Sequence, residues 1–395
     1  MEPQAEEQSQ PAPRIPPAVK GLGLVSLFND FASEMVYPLL PGFITRTLGG
    51  SATILGALDG AADLAASLVK WGSGRLADRP GWRKPLILGG YLSAVLVRPL
   101  MAISSAAWQV VGFRVVDRIG KGARTPPRDA LIADITPPAV AGRAFGFHRG
   151  ADHLGAVLGS LTAWWLLRGD VPVRTVLSWS VVPGIVAFLV LAVVLKTARE
   201  GKAGSKSHIE GPAAVAVFWP PVLVLAAFTF FRLPEALLLL RLQDLGIPLA
   251  TIPLIWAGLH VVRTASSYPG GKLVDRFGPR LAVAAGGVLF SLVALALGRP
   301  LSALGAILMF FVFGFVAGLT EPGERVLVAR LSPKRGRGFG AYHGTVGIAA
   351  LPAGLLYGWL YQRFGGPEAL LVSAGVVLLT VVVWLALRLP ETRAA

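Results

Sequence analysis

Two carboxylates one helical turn apart inside an apolar run are the first chemistry this chain offers. Asp30 and Glu34 are four residues apart and share a helical face with Tyr37. Such a pair in a low-dielectric cavity repels itself, and desolvation also favours the neutral acid. One of the two can therefore hold a proton near neutral pH, which is what proton coupling requires. Asp59 and Asp63 repeat the spacing in the next apolar run, with Asp63 the deeper of the two.

A basic stretch follows. Arg114, Arg118, Lys121, Arg124 and Arg128 recur every three or four residues, with Asp117 among them, and give one helix a strongly basic face. That face either holds an anionic substrate group or neutralises Asp30, Glu34 and Asp63. The adjacent Pro126 and Pro127 remove backbone donors, so a kink or break is expected there. Freed carbonyls inside a membrane must line a cavity or meet other protein.

Beyond it, Asp152 lies three residues from Arg149 and four from His148, the spacing of local ion pairs. Later, Arg232 and Glu235 flank Pro234, and His260 and Arg263 share a face with Ser267. Glu321, Glu324 and Arg325 straddle Pro322, and His343 follows. A metal site has candidate nitrogen and oxygen ligands in His148, Asp152, His153, Asp30 and His343. However, His148 and His153 are five residues apart, a poor spacing for one helical face, and the chain has no cysteine. No cofactor is called for.

These groups have to be carried by apolar elements. The chain has 395 residues, 54% of them hydrophobic and only 15% charged, with a mean hydropathy of +0.62. That is too little polar surface for a soluble protein. Apolar runs fall at roughly 21–46, 52–76, 84–104, 107–134, 143–167, 174–196, 214–241, 249–274, 281–298, 301–330, 338–363 and 367–389. Each run is long enough to cross a hydrocarbon core of roughly 30 Å. The expectation is an all-α polytopic membrane protein of twelve transmembrane helices in two six-helix bundles. Charge inside such spans is expensive and marks function.

The expected divisions are a disordered cytoplasmic tail over 1–20, bundles over 21–196 and 214–390, and a cytoplasmic linker over 197–213. The tail is polar and proline-rich without the apolar core of a secretory signal. The linker is rich in Gly, Ser and Lys. The formal charge of +15 is unevenly placed: about twenty Lys and Arg fall in the tails and in loops on one side, about six on the other. That bias orients membrane proteins and places both termini in the cytoplasm. The charge is thus a topology signal and not a nucleic-acid footprint.

The halves overlay. Asp78 falls on Asp275, and the run Gly142-Arg143-Ala144-Phe145-Gly146 on Gly336-Arg337-Gly338-Phe339-Gly340. The stretch Gly74 to Lys84 (GRLADRPGWRK) sits between two spans, and Gly270 to Arg280 is its second copy. This loop is similar to the signature between helices 2 and 3 of the major facilitator superfamily, which the chain resembles over residues 21–390. The resemblance implies a rocker-switch secondary transporter with its substrate between two parallel halves. It also implies a proton-relay arginine four residues before a G-x-G, where this chain has Val116, with Arg114 and Arg118 nearest. Gly146, Gly155 and Gly159 resemble the antiporter signature of helix 5, with Ser160 where that signature has proline. No Walker-type phosphate loop occurs, which argues against ATP hydrolysis and enzyme activity.

Three sets of residues follow. Proton-coupling candidates are Asp30, Glu34 and Asp63. Cavity candidates are Tyr37, Arg114, Arg118, Arg124, Arg128, Arg149, Asp152, Arg232, Glu235, His260, Arg263 and Glu321. Asp78, Arg79, Arg83, Asp275 and Arg276 are candidates for gating, with Asp78 capping a neighbouring helix. The function expected is proton-coupled export of a small organic solute by a monomer in the cytoplasmic membrane. Import of an anionic solute, divalent-metal export and a non-transporting receptor are the alternatives.

Overall fold

A computed structural model describes residues 14–40, 43–49, 52–197, 212–247, 251–332 and 334–387. Tail residues 1–13, linker residues 198–211 and the side chain of Asp59 lie outside the described set. The described chain is helical, without strands. Its helices are α1 (Pro17–Val36), α2 (Ala52–Ala77), α3 (Arg83–Leu100), α4 (Ala107–Ile135), α5 (Ala141–Arg168), α6 (Val173–Trp179) and α7 (Val181–Thr197). The second series is α8 (Pro212–Phe231), α9 (Glu235–Asp244), α10 (Ile252–Phe277), α11 (Pro279–Leu297), α12 (Ala303–Leu331), α13 (Arg335–Phe364) and α14 (Gly366–Ala386).

Twelve spans result, because α6 and α7 together make the sixth and α8 and α9 the seventh. Proline explains both interruptions. Pro183 cannot donate to the carbonyl four residues back, and Ser180 separates α6 from α7. Pro234 breaks the seventh span, and Ser373 repairs the gap by accepting from Leu233 N (2.9 Å) and donating to Phe231 O (2.8 Å). The break expected at Pro126-Pro127 does not occur: α4 runs through both prolines. The carbonyl that Pro126 leaves free is that of Gly122, and it accepts the Ser73 hydroxyl of α2 at 2.8 Å. A neighbouring helix therefore supplies the missing donor.

Packing repeats from one half to the other. α1 lies on α5, α2 on α4 and α3 on α4; correspondingly α8 lies on α13, α10 on α12 and α11 on α12. The halves join chiefly through α5 with α10 and α2 with α13, and α5 with α12 and α4 with α13 also meet across the junction. Among the described residues, the helices apolar enough to pass for membrane spans by hydropathy are six in number and include α3, α6–α7, α11 and α14. These four show exposed Leu and Val such as Leu96, Leu189, Leu292 and Leu379, as lipid-facing helices do. The charged helices α1, α2, α4, α5 and α10 fall short because they carry the ionisable residues.

At one end of the molecule the halves touch backbone to backbone. A Cβ on Gly74 would lie 2.5 Å from Gly336 O and 2.5 Å from Gly340 Cα. The repeat-related contact is equally tight: a Cβ on Gly271 would meet Gly142 O at 2.3 Å. Only glycine permits such an approach. Between these contacts, Phe145 and Phe339 meet with ring centroids 6.0 Å apart, both fully buried. Each is four residues past the first residue of its helix, so the pair marks the pseudo-two-fold axis.

Candidate functional site

Glycines on α5 bring it close to α1: Gly155 faces Leu27 O, and Gly159 faces Phe31 O and the Glu34 side chain. This contact sets the acids of α1 beside the charged stretch of α5. Asp30 and Glu34 are half-buried, and Asp30 accepts a hydrogen bond from Asn29 Nδ2 at 2.9 Å. Neither carboxylate has a salt-bridge partner among the described residues. Their electrostatic neighbours are Lys121, Arg118 and Arg114 of α4, Arg98 of α3, and Arg149 and Asp152 of α5. Lys121 is exposed and forms no salt bridge with another described residue. Asp63 is also open, its side chain 73% exposed, with Arg118 Nε at 3.9 Å.

The basic face of α4 is largely turned into the first half. Arg114 is buried, stacks on Tyr37 at 4.6 Å and lies 3.5 Å from Asp117. Arg124 donates to Gly90 O at 2.6 Å and covers the Tyr91 ring at 4.6 Å. Arg128 Nη2 pairs with Asp129 Oδ1 at 3.0 Å. The acids nearest these guanidinium groups are thus Asp117 and Asp129, not Asp30, Glu34 and Asp63. Arg98 completes this core, reaching Asp117 Oδ1 at 3.0 Å and Asn29 O at 2.8 Å. It was absent from the candidates, although a charge within the apolar run 84–104 was the same signal that singled out the others.

A second network crosses between the halves. Arg149 of α5 binds both Asp152 on its own helix and Glu321 of α12. Arg325 lies 3.7 Å from Glu321 Oε2 and 3.6 Å from Asp129 Oδ2, and His343 Nε2 is 2.7 Å from Asp129 Oδ2. His153 and His260 meet Nδ1 to Nδ1 at 3.3 Å, with Trp256 against His260 at 5.1 Å. Arg263 pairs with Glu235 at 2.6 Å. Arg232 lines a cavity of about 20 Å³ together with Glu324, Thr229 and Thr320, room for about one water. No three His, Asp or Glu side chains among the described residues converge as a metal-binding group. Asp129 and Arg325 were outside the site candidates and His343 was weighed only as a metal ligand, because their roles depend on partners from the other half.

At the tightly packed end, Asp78 accepts from the backbone N–H groups of Gly336 (2.9 Å) and Arg337 (2.7 Å) in the first turn of α13. Asp275 accepts from Gly142 (2.7 Å) and Arg143 (3.0 Å) in the first turn of α5. Both satisfy donors that a helix start leaves free, each across the junction of the halves. Burial pushes the Asp78 carboxyl above its usual range, and those two N–H bonds pull the other way. Asp134 binds Arg83 of its own half and Arg335 of the other, the latter at 2.7 Å. Arg79 and Arg276 are exposed.

The sequence model of the major facilitator superfamily matches residues 22–240 and again 233–395. The chain belongs to the major facilitator superfamily. An uncharacterised MFS-type transporter of Methanocaldococcus jannaschii is 28% identical over 86% of this chain and 87% of its own length. The multidrug resistance protein MdtH of Edwardsiella ictaluri is 26% identical over 89% of each. Among solved structures, the human organic anion transporter MFSD10 superposes with a TM-score of 0.77 at 18% identity, covering 93% of this chain and all of that one. Family and fold make the chain a multi-pass membrane transporter of a small molecule and not an enzyme. Its twelve spans in two pseudo-symmetric halves are the fold of that superfamily.

Proposed function

We propose that the chain is a proton-coupled antiporter that exports a small organic solute by alternating access. The observation that carries this reading is the state of α1. Among the described residues Asp30 and Glu34 stand without salt-bridge partners, beside networks in which Asp117, Asp129, Asp152 and Glu321 are all paired. An acid without a fixed counter-ion is free to exchange a proton for a cationic or polar substrate group. Similarity to a multidrug resistance protein favours export; the shared fold by itself does not set direction.

In this reading Asp63 assists at the mouth of the cavity. Tyr37, Arg118, Arg149, Glu235, His260 and Glu321 face the substrate path, and Arg114, Arg124 and Arg128 hold α4 in place. Asp78 and Asp275, with Arg83, act as gating contacts, and Arg79 and Arg276 assist them at the rim. The halves are joined over 197–213, the molecule works as a monomer in the cytoplasmic membrane, and both termini face the cytoplasm.

The test starts from a resistance profile of an overexpressing strain, which supplies a substrate. In inverted membrane vesicles that substrate should then release protons from an imposed gradient. Asp30→Asn with Glu34→Gln should cut this release at least tenfold. Transport that survives both an ionophore and neutralisation of Asp30, Glu34 and Asp63 would remove proton coupling from the account.

A further inference from the structure

Asp129 and Arg325 each lie 22 residues past the first residue of their helices, α4 and α12, so they are repeat equivalents that meet each other at 3.6 Å. The duplicated fold has placed an acid and a base at the same position, and they pair near the pseudo-two-fold axis. Asp129 Oδ1 is taken by Arg128, and Oδ2 is shared between Arg325 and His343. His343 also packs against Phe339 and Tyr342 of its own helix.

The charged groups around it come from several helices. α2 contributes Lys70; α4 contributes Arg128 and Asp129; α5 contributes Arg149 and Asp152, with His148 3.9 Å from Asp152. α12 contributes Glu321, Glu324 and Arg325, with Tyr342 donating to Glu324. His153 stands 4.0 Å from Glu321. Asp129, the carboxylate that His343 meets, already faces two guanidinium groups, Arg128 and Arg325. His343 then donates Nε2–H to Asp129, and a protonated ring would add a charge with no counter-ion.

The pairs divide cleanly when the halves part. Asp129 keeps Arg128 and Asp152 keeps Arg149 in one half, while Glu321 keeps Arg325 in the other. His343 is the exception. Its hydrogen bond to Asp129 crosses the junction, and no carboxylate of its own half pairs with it.

We propose that His343 is a proton-binding site of the transport cycle, neutral while the two halves are joined around Asp129 and protonated when they separate there. A proton arriving at His343 unseals the junction, and the junction recloses only after that proton has left. This rests on the proton-coupled reading above and adds a second site to it, on the opposite half from α1.

The chain has no cysteine, so spin labels can be placed on Trp82→Cys and Phe277→Cys, exposed positions at the tightly packed end of each half. Distances would be measured on the full chain in lipid nanodiscs between pH 5 and 8. The ratio of separated to sealed populations should rise on acidification, by at most about tenfold per pH unit for one titrating group. His343→Gln keeps a donor for Asp129 but cannot take the proton, and should stay sealed throughout. His343→Phe, lacking the donor, should be open at every pH.

A parent whose distance ignores pH, or a His343→Gln variant that keeps the pH response, overturns the proposal. Asp30→Asn with Glu34→Gln separates the two readings. That pair should lose transport yet keep the pH response of the junction. If it loses the response while His343→Gln retains it, His343 has no part and the coupling at α1 stands. If proton release by substrate is absent while the His343-dependent response persists, the antiporter reading fails alone.

Discussion

Arg149 binds Asp152 on its own helix and Glu321 across the junction, so its contribution differs from that of an isolated buried pair. Removing one partner of an isolated pair costs about 3–5 kcal/mol, because the other charge is stranded. Without the Glu321 carboxylate, Arg149 still keeps Asp152, and Arg325 still keeps Asp129 at 3.6 Å. Glu321→Gln should therefore cost only about 1–2 kcal/mol, roughly a five- to thirtyfold shift towards separated halves. Spin-label distances across the junction would read that shift. A loss as large as that of a stranded charge would show that the alternative pairings do not form.

The same residues explain what sequence could and could not disclose. Ionisable groups inside apolar runs were legible one by one, because their cost in a membrane is a local property. Their partners were not. Arg149 and Glu321 are separated by 172 residues, and Asp129 and His343 by 214. Only the way the halves fold together decides that Arg325 and His343 meet Asp129.

At the scale of helices, the junction depends on backbone approach at a few glycines. Gly74 and Gly271 leave no room for a side chain, whereas a Cβ on Gly89 of α3 would meet nothing within 4 Å. Gly74→Val should hold the tight end apart and reduce transport by more than about tenfold, and Gly271→Val should do the same. Gly89→Val is the control and should leave transport unchanged, since it fills open space. Equal effects at all three positions would mean that helix propensity, and not close approach, is at work. Helix boundaries were not legible at Pro234, which divides the run read as 214–241. They misled at Pro126-Pro127, where Ser73 of another helix supplies the donor that the local rule assumes missing.

For the whole molecule, duplication was the most legible feature, since the two copies of the signature loop and of the Gly-Arg-x-Phe-Gly run announce two equivalent halves. Those runs meet in the structure, Phe145 on Phe339, and the copies of the loop aspartate cap helices of opposite halves. The direction of transport depends on which side of the membrane the tight end faces. The Lys and Arg bias predicts the cytoplasm. A membrane-impermeant maleimide should then label Ser105→Cys, at the opposite end, in intact cells. Trp82→Cys should react only after the membrane is permeabilised. The reverse pattern would put the tight end outside. A proton leaving His343 would then leave to the outer face, and the same contacts would describe uptake instead of export.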